Sequence, residues 1–447
     1  MPNQSLKSYL LKGGAWSFFG KLFNGLFGLL IAATLARIID PDELGVFFLA
    51  LNLATFLSIA TVFGLDSSAL RFISESRALG DDRRTHQVIN KSFILVLSFS
   101  FISFIIAYSS AGQLILKSVF DSVNLTGLNK YIAFWLVFLA FQILFREVFR
   151  GLKDIKYSVV FGGGVSSLIS FLIIVFLYIN NYDVGLPEIV LAILSGLILN
   201  HLFAFKTLYK KINFLRVDRD KSKDTVQSLL LHSWPIFISS IMGVVLVYAD
   251  LWILGAISGA EEVAVYGAAA RLVLLASMPL SVANAVIPPL IAGMYAQNKK
   301  QEMEKLLRTV ATAVFIPAFI LAVAFVLIGD NVMAIIYGEF YAEGGIILAI
   351  LCMGQLINVF SGSAGYTLVM TGHRITMMYI TAISSTVAVV GGVLLAKSYG
   401  AVGVASAMAF SNVLQNILLL LLVRKKCGIW PHAGIRYVRN IVNLVYR

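Results

Sequence analysis

The sequence predicts an all-α integral membrane protein: twelve transmembrane helices in two parallel six-helix repeats around a central cavity. Three observations carry that reading. The 447 residues are 59% hydrophobic and only 13% charged, with a mean hydropathy of +0.87, against about 45–50% and about 25% in soluble domains. Twelve apolar runs each approach or exceed the roughly 20 residues that a helix needs to cross hydrocarbon. A segment after the first run recurs 219 positions later, Ile38 onward matching Ile257 onward. A soluble globule of this composition has too little polar surface to cover its core. That excludes a soluble enzyme, a nucleic-acid-binding domain, and a disordered or fibrous chain.

The runs fall at 14–36, 44–67, 92–112, 131–150, 157–179 and 186–206, then at 233–255, 264–290, 309–329, 344–369, 376–396 and 401–423. Lipid offers the backbone no partners, and the runs are too long and continuous for barrel strands, so they read as helices. The first follows Lys7 and Lys12 but exceeds the roughly 7–15 residues of a signal core, so it reads as an uncleaved first helix. The second ends near Asp66 and Arg71, with Glu75 one turn on, and the fourth near Arg146 and Glu147; both groups read as interfacial charge clusters. The fifth contains Gly162-Gly163-Gly164, which allows close packing or unwinding. A Lys-, Arg- and Asp-rich linker at 207–232 separates a bundle at 1–206 from one at 233–423. Pro235 opens the seventh run, Pro279, Pro288 and Pro289 punctuate the eighth, and Pro317 interrupts the ninth; each removes a backbone hydrogen bond and favours a bend. Gln355 and Asn358 lie one turn apart on the tenth, which fits a cavity face or an interhelical hydrogen bond. The basic tail at 424–447 sets Ile435, Val438, Ile441, Val442 and Val445 against Arg436, Arg439 and Arg447, the pattern of a helix lying on the inner leaflet.

The net charge of +12 reflects orientation. With both termini cytoplasmic, inner segments hold 29 Lys and Arg, outer segments only Arg37, Lys117, Lys130 and Lys397, and the spans Lys21 and Arg271, which completes the 35. That asymmetry follows the positive-inside rule and removes the nucleic-acid reading. Cys352 and Cys427 form no disulfide framework or metal-ligand pattern. No GxxxxGK[ST] phosphate loop is present. His86, His201, His232, His373 and His432 all fall at cytoplasmic ends or loops and read as interfacial, so no metal and no cofactor is expected. Paired carboxylates for acid–base work are missing from the span interiors, and outer loops are short, which argues against an enzyme, including a membrane glycosyltransferase.

The repeat unites Ile38-Ile39-Asp40-Pro41-Asp42-Glu43-Leu44-Gly45-Val46-Phe47 with Ile257-Ser258-Gly259-Ala260-Glu261-Glu262-Val263-Ala264-Val265-Tyr266, each followed by a long helix and a polar loop. Six spans per half give both halves the same orientation, and in such parallel repeats substrate usually sits between them. Leu35-Ala36-Arg37 before the first copy, Phe63-Gly64-Leu65-Asp66 after it, and Ala249-Asp250-Leu251-Trp252 with Pro288-Pro289 in the second half resemble the polysaccharide-export branch of the multidrug/oligosaccharidyl-lipid/polysaccharide exporter superfamily. That branch includes the Wzx-type O-antigen flippases. The resemblance implies outward flipping of an undecaprenyl-diphosphate-linked oligosaccharide across a bacterial inner membrane by alternating access, through a cationic cavity. Its implied partners are membrane lipids, a proton or sodium ion, and polysaccharide polymerase or assembly proteins, with no nucleic acid. A cation-coupled multidrug exporter is the alternative on the same architecture. A major-facilitator transporter also has six plus six helices, but Gly80-Asp81-Asp82-Arg83-Arg84 lacks its loop spacing.

Candidate site residues are the polar groups inside spans. Lys21 lies about seven residues into the first helix, roughly 10 Å deep. It reads either as a phosphate-binding cation or as a lysine snorkelling to the inner headgroups. Asn24 shares its face at i+3. Asp250 and Arg271 sit at matching depths across a short hairpin. They read either as a structural ion pair or as a coupling carboxylate and a diphosphate-binding cation. Asn52 is the repeat equivalent of Arg271 and is expected to face it across the central axis. Gln355 and Asn358 complete the expected cavity lining, and Asp66 with Arg71 the expected coupling or ion-pair group.

Overall fold

A computed structural model of the chain describes residues 3–120, 125–180, 182, 184–213 and 226–438. Among them the secondary structure is helical throughout, with no strand. The helices are α1 Asn3–Leu35, α2 Pro41–Val62, α3 Leu65–Ala78, α4 Asp82–Tyr108, α5 Ser110–Val119, α6 Asn129–Gly151, α7 Ile155–Val159, α8 Val165–Ile179, α9 Leu186–Asn213, α10 Val226–Ile257, α11 Ala260–Ala296, α12 Lys300–Tyr337, α13 Gly345–Ser361, α14 Ala364–Met370 and α15 Arg374–Cys427. Part of the expected linker and the end of the expected tail, 214–225 and 439–447, lie outside the described residues.

Eleven described helices are long and apolar enough to cross a membrane, where the sequence predicts twelve. The difference lies in α15, whose 54 residues would reach roughly 80 Å if straight. It breaks at Gly400 (φ 53°, ψ −135°), between the runs expected at 376–396 and 401–423. Breaks also divide three other expected runs. The second stops at Val62, where Phe63 and Gly64 both adopt positive φ, so Asp66 and Arg71 lie on the separate α3. The fifth contains a π-helical turn at Val160–Gly164 with Gly163 at φ 135°, the unwinding its glycines allow. The tenth ends at Ser361 because Gly362 takes φ 64°.

Side-chain burial shows the surroundings these helices are built for. Along α4 the buried positions are Thr85, Val88, Ile89, Ser92, Val96 and Ser100, while Ile94, Leu97, Phe101, Ile102 and Ile105 point outward. Small and hydroxylated residues at helical spacing pack inward, and large apolar ones face out, as helices packed in lipid arrange themselves.

Packing groups the residues into two compact units, Leu26–Tyr248 and, together, Met1–Gly25 with Ala249–Arg447. In the first, α6 is central, packed against α2, α3, α4 and α9, over a core that includes Leu65, Ile73, Val88, Leu144, Phe145 and Phe149. In the second, α12 and α13 pack with α11 and α15, and the core includes Ile291, Met303, Leu307, Leu368, Val423 and Cys427. The segment after α15 folds back onto this unit. Ala433 N–H donates to Phe360 O at 2.8 Å, Gly434 N–H to Thr312 Oγ1 at 3.0 Å, and the His432 ring stacks on Phe360. Of the expected surface helix, Ile435–Tyr437 form a single 3-10 turn.

Candidate functional site

The Leu26–Tyr248 unit contains a cavity of about 540 Å³. Three helices each contribute one stripe to it: Thr55, Ser58, Ile59 and Val62 from α2; Leu139, Gln142, Ile143 and Arg146 from α6; Ser240, Gly243, Val244 and Val247 from α10, with Tyr248 beside them. Each stripe follows the i, i+3, i+4, i+7 spacing of one helical face. Asp66, at the start of α3, completes the lining.

The break at Phe63-Gly64 places Asp66 there. A Cβ on Gly64 would lie 2.4 Å from Ser233 O and 3.0 Å from Phe237 N, so only glycine permits this approach to α10 at positive φ. The Phe63 and Phe237 rings stack at 4.5 Å, and Ser233 Oγ donates to Ser68 Oγ at 2.8 Å. Arg146 is oriented from its own helix, its Nε donating to Glu147 Oε1 at 2.8 Å, while Arg150 Nη1 lies 3.5 Å from Glu147 Oε2. A Cβ on Gly162 would meet the Arg146 stem at 2.9 Å. Gln142 Nε2 donates to Ser166 Oγ at 2.8 Å, and that hydroxyl donates to Gly163 O at 2.9 Å, in the unwound turn. Asp66 is near enough to both Arg146 and Glu147 to feel their charges. The residues read from sequence as two interfacial clusters, Asp66 on one helix and Arg146 on another, therefore line one cavity. Arg71 is exposed on α3, and Asn52 is buried on α2.

The other expected site residues belong to the second unit. Lys21 Nζ donates to Ser281 O of α11 at 2.8 Å. Asn24, one turn on, has a buried Oδ1, and a Cβ on Gly25 would touch the Met278 methyl at 2.7 Å. Asp250 Oδ1 accepts from Leu251 N at 2.8 Å and the carboxylate faces Tyr266. Arg271 Nη1 donates to Gly267 O at 2.8 Å, and its charge reaches Tyr337. Gln355 Oε1 accepts from Asn412 Nδ2 at 3.3 Å, and Asn412 Oδ1 accepts from Asn416 Nδ2 at 2.8 Å. Asn358 is half-buried on α13. Asn412 and Asn416 were missed from sequence, although two asparagines at i, i+4 in an apolar span are a usable signal. Gln142, Ser166 and Tyr248 carried none. His201 corrects the interfacial reading: it is 5% exposed, with its ring against Phe138 and Phe145. The reason is that α9 continues to Asn213, which leaves position 201 three turns inside the helix. Among the described residues no cluster of His, Cys, Asp and Glu is arranged to hold a metal ion.

The fold is that of known membrane exporters. A multidrug resistance MATE transporter in its inward-facing conformation superposes with TM-score 0.75, at 16% identity over 91% of this chain and 94% of its own. The lipid II flippase MurJ superposes with TM-score 0.69, at 16% identity over 95% and 88%. A Shigella flexneri protein named "Putative O-antigen transporter" is 24% identical over 95% of this chain and all of its own. The Haloferax volcanii protein named "Probable low-salt glycan biosynthesis flippase Agl15" is 23% identical over 90% and 80%. Residues 235–394 match the MatE family. Residues 10–295 match the family described as Polysaccharide biosynthesis protein, and the chain belongs to that family.

Proposed function

We propose that this protein is a flippase that moves an undecaprenyl-diphosphate-linked oligosaccharide, an O-antigen or other surface-polysaccharide repeat unit, from the cytoplasmic to the outer leaflet of a bacterial inner membrane. It is a multi-pass membrane transporter and not a catalyst. Both termini are cytoplasmic in this reading, and the repeats at 1–206 and 233–423 alternate in opening to either side, joined by 207–232. The observation that carries the reading is a cavity that presents Asp66, Gln142 and Arg146 inside a unit with many exposed apolar side chains, in a chain of the polysaccharide biosynthesis family. Such a cavity suits a hydrated sugar headgroup, and the exposed apolar helix faces suit its lipid tail.

Lys21 and Arg271 are the cations assigned to the diphosphate, with Asn24, Asn52, Gln355 and Asn358 as polar lining. Asp250 is the carboxylate assigned to proton or sodium coupling, and polymerase or assembly proteins are the expected consumers of the flipped product. The test is flipping of a fluorescent polyprenyl-diphosphate-linked sugar in proteoliposomes. Charge-assisted hydrogen bonds contribute about 1.5–3 kcal/mol each, so Lys21→Ala and Arg271→Ala should each lower the rate about 10- to 100-fold. Unaltered flipping in both variants refutes the cation assignment. The MatE match over 235–394 supports a second reading, cation-coupled drug export. Transport of a lipophilic cation, with no transport of the lipid-linked sugar, would decide for it.

A further inference from the structure

We infer that the cavity of the Leu26–Tyr248 unit is a glycan subsite for a neutral, hydroxyl-rich sugar residue, with Asp66, Gln142 and Arg146 as its specificity-determining residues. This rests on the flippase reading and adds to it which part of the substrate this unit holds. The volume, about 540 Å³, falls inside the roughly 300–1,000 Å³ of small-molecule sites. The charges at the site cancel. Asp66 and Glu147 stand against Arg146 and Arg150, with Arg146 Nε held on Glu147 at 2.8 Å. A diphosphate requires an excess of positive charge, and two carboxylates beside the Arg146 guanidinium remove it. A neutral polyol needs donors and acceptors in fixed positions, and the cavity supplies both.

The Arg146 fork donates, the Asp66 carboxylate accepts, and the Gln142 amide does both. Two of the three are immobilised by neighbours outside the cavity, Arg146 by Glu147 and Gln142 by Ser166. Groups held in place in this way cost little ordering entropy on binding. Ile59, Val62, Ile143 and Val244 provide the apolar wall that the C–H face of a sugar ring requires. None of the cations assigned to the diphosphate lines this cavity, so headgroup and sugar are divided between different residues.

The experiment measures binding to the full chain in nanodiscs with short-chain polyprenyl diphosphates as probes. One probe is bare, three carry glucose, galactose or N-acetylglucosamine, and one carries glucuronic acid. At least one neutral sugar should raise affinity over the bare diphosphate, and the uronic acid should not. Asp66→Asn, Gln142→Ala and Arg146→Lys should each reduce that gain about ten-fold while leaving the bare probe unchanged. Lys21→Ala and Arg271→Ala should weaken every probe alike. Arg146→Lys keeps the charge and loses only the fork, so it separates recognition from folding. Equal affinity for all five probes in the unaltered protein overturns the subsite, as does equal weakening of bare and glycosylated probes by the Asp66 and Gln142 variants. Binding of none of the probes overturns the flippase reading itself. Selective loss from Asp66→Asn with no effect of Lys21→Ala and Arg271→Ala leaves the subsite standing and removes only the cation assignment.

Discussion

The two units solve the same capping problem with carboxylates from different places. Glu43 and Glu262 are equivalent across the 219-residue repeat. In the second unit Glu262 reaches the break in α15, where its Oε2 accepts from Ala401 N at 2.6 Å, and a Cβ on Gly400 would collide with it. In the Leu26–Tyr248 unit Glu188, in the first turn of α9, accepts through Oε2 from Gly185 N just before that helix at 3.1 Å, with Glu43 near enough to feel its charge. Where helices follow each other without a loop, the free N–H groups of the next helix need a carboxylate from another element. At α9 the carboxylate comes from the first turn of the same helix.

The units differ in the same way over their buried polar groups. In the Leu26–Tyr248 unit Asp66, Gln142 and Arg146 line open volume. In the second unit the carboxamides of Gln355, Asn412 and Asn416 bond one another. Polar side chains in a membrane bundle either face a hydrated space or join helices, and the sequence pattern is alike for both.

Four substitutions sharpen these contrasts. Gly64→Ala should have the largest effect. A positive φ costs a residue with a Cβ about 1–2 kcal/mol, and overpacking against Ser233 O adds about 1–3 kcal/mol. Thermal unfolding in detergent should therefore drop sharply, and an unchanged midpoint would show that α2 and α10 do not depend on this approach. Glu262→Ala should cost about 1–3 kcal/mol by stripping the Ala401 N–H of its acceptor. Glu188→Ala, at the exposed first turn of α9, should cost no more than about 1 kcal/mol; equal losses would erase the difference between the two caps. Asn412→Leu should cost about 0.6 kcal/mol, the mean for an interhelical hydrogen bond in lipid. A much larger loss would mean that the carboxamide chain does more than join α13 to α15.

Legibility in the sequence followed physical range. The apolar runs depend on residues a few positions apart, and the repeat at Glu43 and Glu262 on comparing two stretches of sequence; both could be read. Gln355 was read with two possible roles, and Asn412, 57 positions away, made the choice. The meeting of Asp66 with Arg146 was not legible, because it depends on a helix break packed against the Ser233 carbonyl, far along the chain.

The amino-acid sequence by itself determined that lipid is the solvent and where the chain can cross it, because hydrocarbon accepts only long apolar segments with their backbone groups satisfied internally. Tertiary structure alone decided the breaks inside the second and tenth expected runs, at Phe63-Gly64 and Gly362, and which polar side chains share a cavity. At Gly64 the Ser233 carbonyl, and at Gly362 the Ala311 side chain, come too close for a Cβ, and that closeness is a property of the packed unit rather than of any local run of residues.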